Sequence, residues 1–277
     1  MDDIDAETQA AKFYHRMYAP SDTTGYATTE EGEDHAALGP TREFVYEYGL
    51  HTAKCLEVGC GRGVLQDVVP DYVGVDVTQE AEKFLHKPFY CASATSLPFE
   101  DSSFDAIWSW DVLEHVPNPE RAFEEMRRVI KPGGLLFLAP AWHCRPWAAE
   151  GYAVRKYSDL VLRGKIVKAT IPIRDSLAVR AGAMLPWRLQ RLMKFLMSRA
   201  PTRFSFRPLV PNYEIYWTAD SDAVNSMDPF EAVLWFLSRG DECVNYPSWL
   251  RALLIRSGPV IIRRGSNTPL CARKRPE

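Results

Sequence analysis

The sequence predicts an α/β protein built on a doubly wound, mostly parallel sheet. Three observations lead there. The apolar run Lys54-Cys55-Leu56-Glu57-Val58 enters a turn with glycine at every second position, Gly59-Cys60-Gly61-Arg62-Gly63. A second short run, Tyr72-Val73-Gly74-Val75-Asp76, ends in an acid. Strand and helix signals then alternate as far as Ala139.

Taken in order, Cys55 to Val58 has the length and apolar character of a buried strand. The glycines allow a sharp turn and let a ligand touch bare backbone. Val64 to Val69 is predicted to begin a helix whose first amides face that turn. Strand, glycine turn and helix together hold a nucleotide-like ligand at the C-terminal edge of a parallel sheet. Asp76, at the next strand end, has the chemistry to accept hydrogen bonds from both hydroxyls of a ribose. Two acids, Glu57 and Asp76, and these glycines point to an adenosine-bearing ligand. They leave a nicotinamide cofactor and S-adenosylmethionine both open. Downstream, Ala106 to Trp110 reads as a strand, Glu120 to Ile130 as a helix and Leu135 to Ala139 as another strand. Ala122, Phe123, Met126, Val129 and Ile130 recur at helical spacing and form a core-facing stripe. Lys131-Pro132-Gly133-Gly134 is expected to stop that helix.

The blocks Ala94-Thr95-Ser96-Leu97-Pro98-Phe99 and Asp111-Val112-Leu113-Glu114-His115-Val116-Pro117 fall in order between these elements. From Cys55 to Pro140 the chain resembles the class I S-adenosylmethionine-dependent methyltransferases, and closely their type 11 branch. The resemblance implies a Rossmann-like, seven-stranded sheet and S-adenosylmethionine as cofactor, with S-adenosylhomocysteine as its product. It implies that Glu57 reaches toward the cofactor amino group while Gly59, Cys60, Gly61 and Gly63 give it room. Asp76 would take the ribose hydroxyls and Val77 would flank the adenine. Ser93 and Ala94 stand where relatives have an acid and a small residue; the acid is absent. Trp110 and Asp111 follow the fourth strand, near the transferable methyl. His115 is the first candidate for a base, with His143 in reserve and Asp111 third. The implied activity is methyl transfer by in-line displacement, at oxygen, to a small-molecule, sugar or lipid-linked acceptor. C- or N-methylation, non-catalytic cofactor binding and a nicotinamide-dependent oxidoreductase are the alternatives. No metal is demanded.

Four stretches follow from this reading: an N-terminal helix and lid over 1–40, the cofactor-binding core over 41–140, a basic aromatic cap over 141–210, and elements completing the sheet over 211–277. Glu7 to Tyr18 reads as a helix. Tyr14 on it, and Tyr26 in the long loop behind it, are candidates to touch the cofactor; packing is the competing role. Glu30 to Asp34 is an acidic run expected to be solvated. Trp142, His143, Trp147, Tyr152 and Tyr157 either line an acceptor pocket or pack. Over 173–208 the basic residues Arg174, Arg180, Arg188, Arg191, Lys194, Arg199, Arg203 and Arg207 face one acid, Asp175, among Leu, Met and Trp. That mixture fits a helix on an anionic surface, a cap over an anionic or lipid-linked acceptor, or a cap with a solvated basic face. Pro186 is expected to divide it into two helices. Tyr213 to Trp217 reads as an aromatic strand. Asp220 and Asp222 after it are expected to cap turns, with sugar or cation binding as the other role. Asp228 and Pro229 open a helix, and Gly258 to Ile262 is expected to form a final strand that completes the sheet.

With 277 residues, one domain plus an elaboration is expected. A net charge of −3 gives no case for nucleic acid as a partner. No apolar run is long enough to span a bilayer, and the acidic start Met1-Asp2-Asp3 is unlike a secretory signal. The six cysteines include no Cys-x-x-Cys pair. They read as reduced thiols in a cytoplasmic protein, with peripheral contact at the inner membrane surface through 173–208.

Overall fold

The computed structural model describes residues 3–18, 35–198 and 200–266. The strands in chain order are β1 (Cys55–Val58), β2 (Tyr72–Asp76), β3 (Phe89–Cys91), β4 (Phe104–Trp110) and β5 (Ile130–Ala139). After them come β6 (Phe206–Pro208), β7 (Asn225–Met227), β8 (Glu242–Cys243) and β9 (Val260–Arg263). Seven of them form the central sheet, in the order β3-β2-β1-β4-β5-β9-β8. Strands β1 to β5 are parallel. Strand β9 runs antiparallel to β5, and β8 antiparallel to β9. The expected final strand is therefore β9. A small separate sheet pairs β6 with β7.

Side chains alternate across the sheet, as strand geometry requires. Leu56, Val58, Ile107, Leu136 and Leu138 pack in one core layer with α3 (Pro119–Val129) and α6 (Pro229–Leu237). Cys55, Ala106, Trp108, Leu135 and Phe137 pack in the other with α2 (Leu38–Glu47). Two of these helices have a clear local reason to start. Asn118 accepts from the Arg121 amide at 3.1 Å before Pro119, and Asp228 accepts from the Phe230 amide at 2.8 Å before Pro229. The strand order reverses between β1 and β4, which opens a crevice over their C-terminal ends.

Four expectations are corrected. Val64 to Val69 forms successive turns, not a helix, with the Gln66 amide donating to the Gly63 carbonyl and that of Val68 to Leu65. The stretch before Pro70 is too short to nucleate a helix that Pro70 would then end. Lys131 to Gly134 belongs to β5, which begins at Ile130 and bulges against β4. Pro186 lies inside α5 (Leu177–Met197), and the break falls earlier, at Ser176, after α4 (Leu162–Asp175). Ser176 is extended (ψ 141°) and its hydroxyl caps α5. The one carbonyl that Pro186 leaves without its helical donor, that of Gly182, lies on an exposed turn of the helix, open to solvent. Tyr213 to Trp217 is not a strand. Asn212 Oδ1 accepts from the amides of Glu214 and Ile215, both at 3.0 Å, and Ser221 Oγ accepts from those of Trp217 and Thr218. Those side-chain bonds satisfy amides that a ladder would otherwise use.

Candidate active site

A cavity of about 650 Å³ sits over the C-terminal ends of β1, β2 and β4. Among the expected residues, Tyr14, Glu57, Gly59, Cys60, Gly61 and Asp76 line it, as do Val77, Ser93, Ala94, Trp110, Asp111 and His115. Gly63 lies just outside that lining. Tyr26, Arg199 and the acidic run over 30–34 lie outside the described residues.

One wall of the cavity is built from consecutive strand ends. The amide of Gly61 donates to Asp76 Oδ2 at 2.9 Å, and that of Thr78 to Oδ1 at 3.1 Å, so the carboxylate is fixed at the turn. Burial raises the Asp76 pKa, and these backbone bonds hold it down. Gly59 has φ +78°, and a Cβ there would stand 2.1 Å from Val112. Only glycine fits this close approach. Glu57 accepts from the Tyr72 hydroxyl. Burial pushes its carboxyl up to about 8, against that bond. Trp110 is held by its indole N–H, which donates to Thr41 at 2.9 Å. Asp111 turns through a left-handed conformation, φ +48°, which aspartate tolerates.

Ser93, which stands where an acid is expected, is joined to an acid from a distant segment. The Ser93 hydroxyl bonds Thr95 Oγ1 at 2.8 Å, and Thr95 donates to Glu7 Oε1 at 2.7 Å. Glu7 rides on α1 (Asp3–Met17) and lines the cavity. Tyr18, just past α1, also lines it, and its hydroxyl lies 3.0 Å from where a Cβ on Gly61 would stand. The sequence gives no local sign of either role, and Glu7 is 88 positions from its partner.

The opposite wall is assembled from distant segments. His115 ends a short 3-10 turn, Leu113–His115, and its side chain is only 12% exposed. Asn225 Nδ2 clamps this turn by donating to the carbonyls of Leu113 and Val116, both at 2.8 Å. The Val224 amide donates to the Glu114 carbonyl at 2.9 Å. His115 Nδ1 is 3.5 Å from Asp222 Oδ2, which accepts from the Tyr14 hydroxyl at 2.8 Å. His115 Nε2 is 3.8 Å from Glu114 Oε1. Burial pushes the imidazole pKa down, but Asp222 and Glu114 override it, and the net shift is upward. Burial also pushes Glu114 up to about 7. The Asp222 side chain is thus no turn cap. It lies wholly buried behind His115, and nothing in the sequence joins the two.

His143 is elsewhere. It is absent from the lining, its amide donates to the Met227 carbonyl, and burial with nearby arginines pushes its imidazole down to about 4. Of 141–157 only Ala141 lines the cavity, and Trp142 instead donates to the Gly258 carbonyl at 2.9 Å. No residue of α4 or α5 lines it either, so the basic stretch is not a cap over this site.

The wall chemistry selects among ligands. Glu7, Glu57, Asp76, Asp111, Glu114 and Asp220 bring carboxyl groups to the cavity, with Arg62 the guanidinium among its lining, and a bound cation draws the buried Glu57 and Glu114 toward their charged forms. That field suits a cationic sulfonium bearing an ammonium and disfavours a diphosphate. S-adenosylmethionine therefore fits: Asp76 would hold the ribose and Gly59 and Gly61 the chain beside it.

Comparison with known proteins agrees. Residues 56–138 match the family model described as a methyltransferase domain. A provisionally named methyltransferase of Encephalitozoon cuniculi is 31% identical over 154 residues, covering 53% of this chain and 68% of the relative. An uncharacterized methyltransferase of Schizosaccharomyces pombe is 33% identical over 145 residues, covering 43% and 52%. A ubiquinone biosynthesis O-methyltransferase of Xanthomonas oryzae pv. oryzae is 34% identical over 119 residues, covering 37% and 50%. The chain spans about half the length of these last two. It belongs to the class I S-adenosylmethionine-dependent methyltransferases.

Proposed function

We propose that this chain methylates a hydroxyl oxygen of a small-molecule, sugar or lipid-linked acceptor, with His115 as general base. When bound, the cofactor supplies a methyl carbon made electrophilic by its sulfonium, and the sulfur keeps the electron pair of the bond that breaks. His115 Nε2 takes the acceptor's hydroxyl proton as the oxygen pair forms the new bond. Asp222 supports this by holding Nδ1 and stabilising the imidazolium. Glu57, Asp76 and the glycine turn orient the cofactor, and Trp110, Tyr14 and Tyr18 keep water out. A general base of this kind contributes ~10²–10⁴-fold, and alignment ~7–11 kcal/mol.

The observation that carries the reading is the pair of His115 and Asp222, 3.5 Å apart, at the cavity wall. The test is the pH dependence of methyl transfer across a panel of hydroxyl acceptors. An acid-side limb that vanishes in His115→Ala supports it; an identical profile rejects it. An amine acceptor is the second reading, favoured by the carboxyl groups of Asp111, Glu114 and Asp220 in the same cavity. There the limb would belong to the substrate amine and would persist in His115→Ala. A cytoplasmic location with peripheral contact at the inner membrane surface completes the proposal, supported by the cations over 173–208. Among the described residues no helix is long and apolar enough to cross a membrane.

A further inference from the structure

Two helices outside the active site leave apolar stripes uncovered. On α4, Leu162, Ile166, Ala169 and Ile173 follow spacings of four, three and four, so they share one face. Leu162 is 75% exposed and Ile173 63%. On α5, Leu185, Leu189, Met193 and Leu196 share a face in the same way, and the last two are 56% and 58% exposed.

The rotation of α5 is pinned from its other side. Arg188 forms a bidentate pair with Asp228 at 2.7 and 3.0 Å, and Arg191 pairs with Glu231 at 2.6 and 2.7 Å. Leu192 and Phe195 pack into the core. The exposed stripe is thus a fixed feature of the fold and is not produced by a loosely docked helix.

We propose that α4 and α5 dock this protein on an anionic lipid surface. Charge decides the occupant. From Val161 to Ser198 there are eight Lys and Arg, of which Arg188 and Arg191 are neutralised by Asp228 and Glu231, leaving six; the one acid of the stretch, Asp175, is itself taken up by Arg145 at 3.0 Å. Arg163, Lys165 and Lys194 are exposed, and no carboxylate among the described residues pairs them. Apolar side chains entering the headgroup boundary beneath outward cations are the pattern of an interfacial helix. A second copy is the poorer partner. A two-fold interface sets a patch against itself, and here that brings cation to cation. The surface deepens the peripheral part of the reading above, relocating it to 162–197, and stands apart from the methyl-transfer chemistry.

The test is sedimentation of the full chain with phosphatidylcholine vesicles, with and without phosphatidylglycerol, at low and raised salt. The account expects binding only to the anionic vesicles, weakened by salt. Each cation near such a surface contributes roughly 5-fold, so Arg163→Gln, Lys165→Gln and Lys194→Gln together lower the partition coefficient by about 100-fold. Leu189→Glu with Met193→Glu lowers it by about 10-fold or more. All five sites are exposed, and circular dichroism checks that the variants fold. No pelleting, equal binding to neutral vesicles, or full binding by the triple variant would overturn the proposal. So would a soluble dimer that the Leu189 and Met193 variant dissolves. Titrating the same samples with S-adenosylhomocysteine separates the two readings. Unchanged affinity without vesicle binding removes only the surface, and vesicle binding without affinity removes only the cofactor site.

Discussion

The two walls of the cavity are built by different routes. The wall proposed to hold the cofactor draws on consecutive strand ends: Glu57 to Gly61, Asp76 and Val77, Ser93 and Ala94, Trp110 and Asp111. Its two strand-end acids are held by bonds short in sequence, Gly61 to Asp76 and Tyr72 to Glu57, each over 15 positions. The facing wall joins Tyr14, His115, Ala141, Tyr216 and Asp220, with Asp222 behind. Its bonds span far more chain, and Tyr14 reaches Asp222 across 208 positions. A wall made by the sheet itself is fixed once the sheet forms. A wall made by distant segments exists only when the N-terminal helix and the segment before β7 have both docked. The first suits an invariable ligand, and the second suits an acceptor that differs from enzyme to enzyme.

This contrast predicts separable effects. His115→Ala should lower kcat by about 10²–10⁴-fold while S-adenosylhomocysteine affinity, read by calorimetry, stays within about 2-fold. Asp76→Asn turns an amide N–H₂ toward the Gly61 or Thr78 amide and loses a charged acceptor. Cofactor affinity should fall about 30–100-fold, matching ~2–3 kcal/mol. If Asp76→Asn left affinity intact, the division between the walls would be wrong. Asp222→Asn should lower kcat about 10-fold and change the pH profile. The anion raises the His115 pKa above its ordinary 6.5, so removing it lowers that pKa and moves the acid-side limb to lower pH. A merely structural Asp222 would lower activity without moving the limb. Tyr14→Phe should lower stability by about 1 kcal/mol in urea unfolding, for one lost hydrogen bond, with cofactor affinity unchanged. A last effect concerns the pH dependence of stability and rests on Glu57. With its folded pKa raised to about 8 from 4.5, the folded state keeps a proton that the unfolded chain releases above 4.5. Stability therefore declines as pH climbs from there toward about 8. Glu57→Gln should flatten that slope in thermal melts across the interval.

The same division governs how much the sequence reveals. Strands β1, β2 and β4 and the glycine turn are legible because each needs particular residue types locally: short runs of apolar, aromatic and β-branched residues for strands, glycine at positive φ, an acid at a strand end. Asn118 and Asp228, each followed by proline, announce α3 and α6 in the same local way, by capping. His115 is legible as a candidate, but its partner is not. Asp222 lies in a turn-rich acidic stretch where capping is the common role, and only tertiary packing brings it to the imidazole. His143 misleads for the opposite reason. It closely follows the end of β5, yet its left-handed backbone, φ +62°, and its bond to Met227 carry it away from the cavity. The helix expected after Gly63 fails because Pro70 leaves it no room. The strand expected at Tyr213 fails because Asn212 and Ser221 satisfy its amides first.

The most direct test of the central claim is one calorimetric titration with S-adenosylhomocysteine, run on the natural chain and on His115→Ala. The expected result is one site per chain, with affinities that agree within about 2-fold between the two proteins. No heat of binding in the natural chain, under conditions where it is folded, would contradict it.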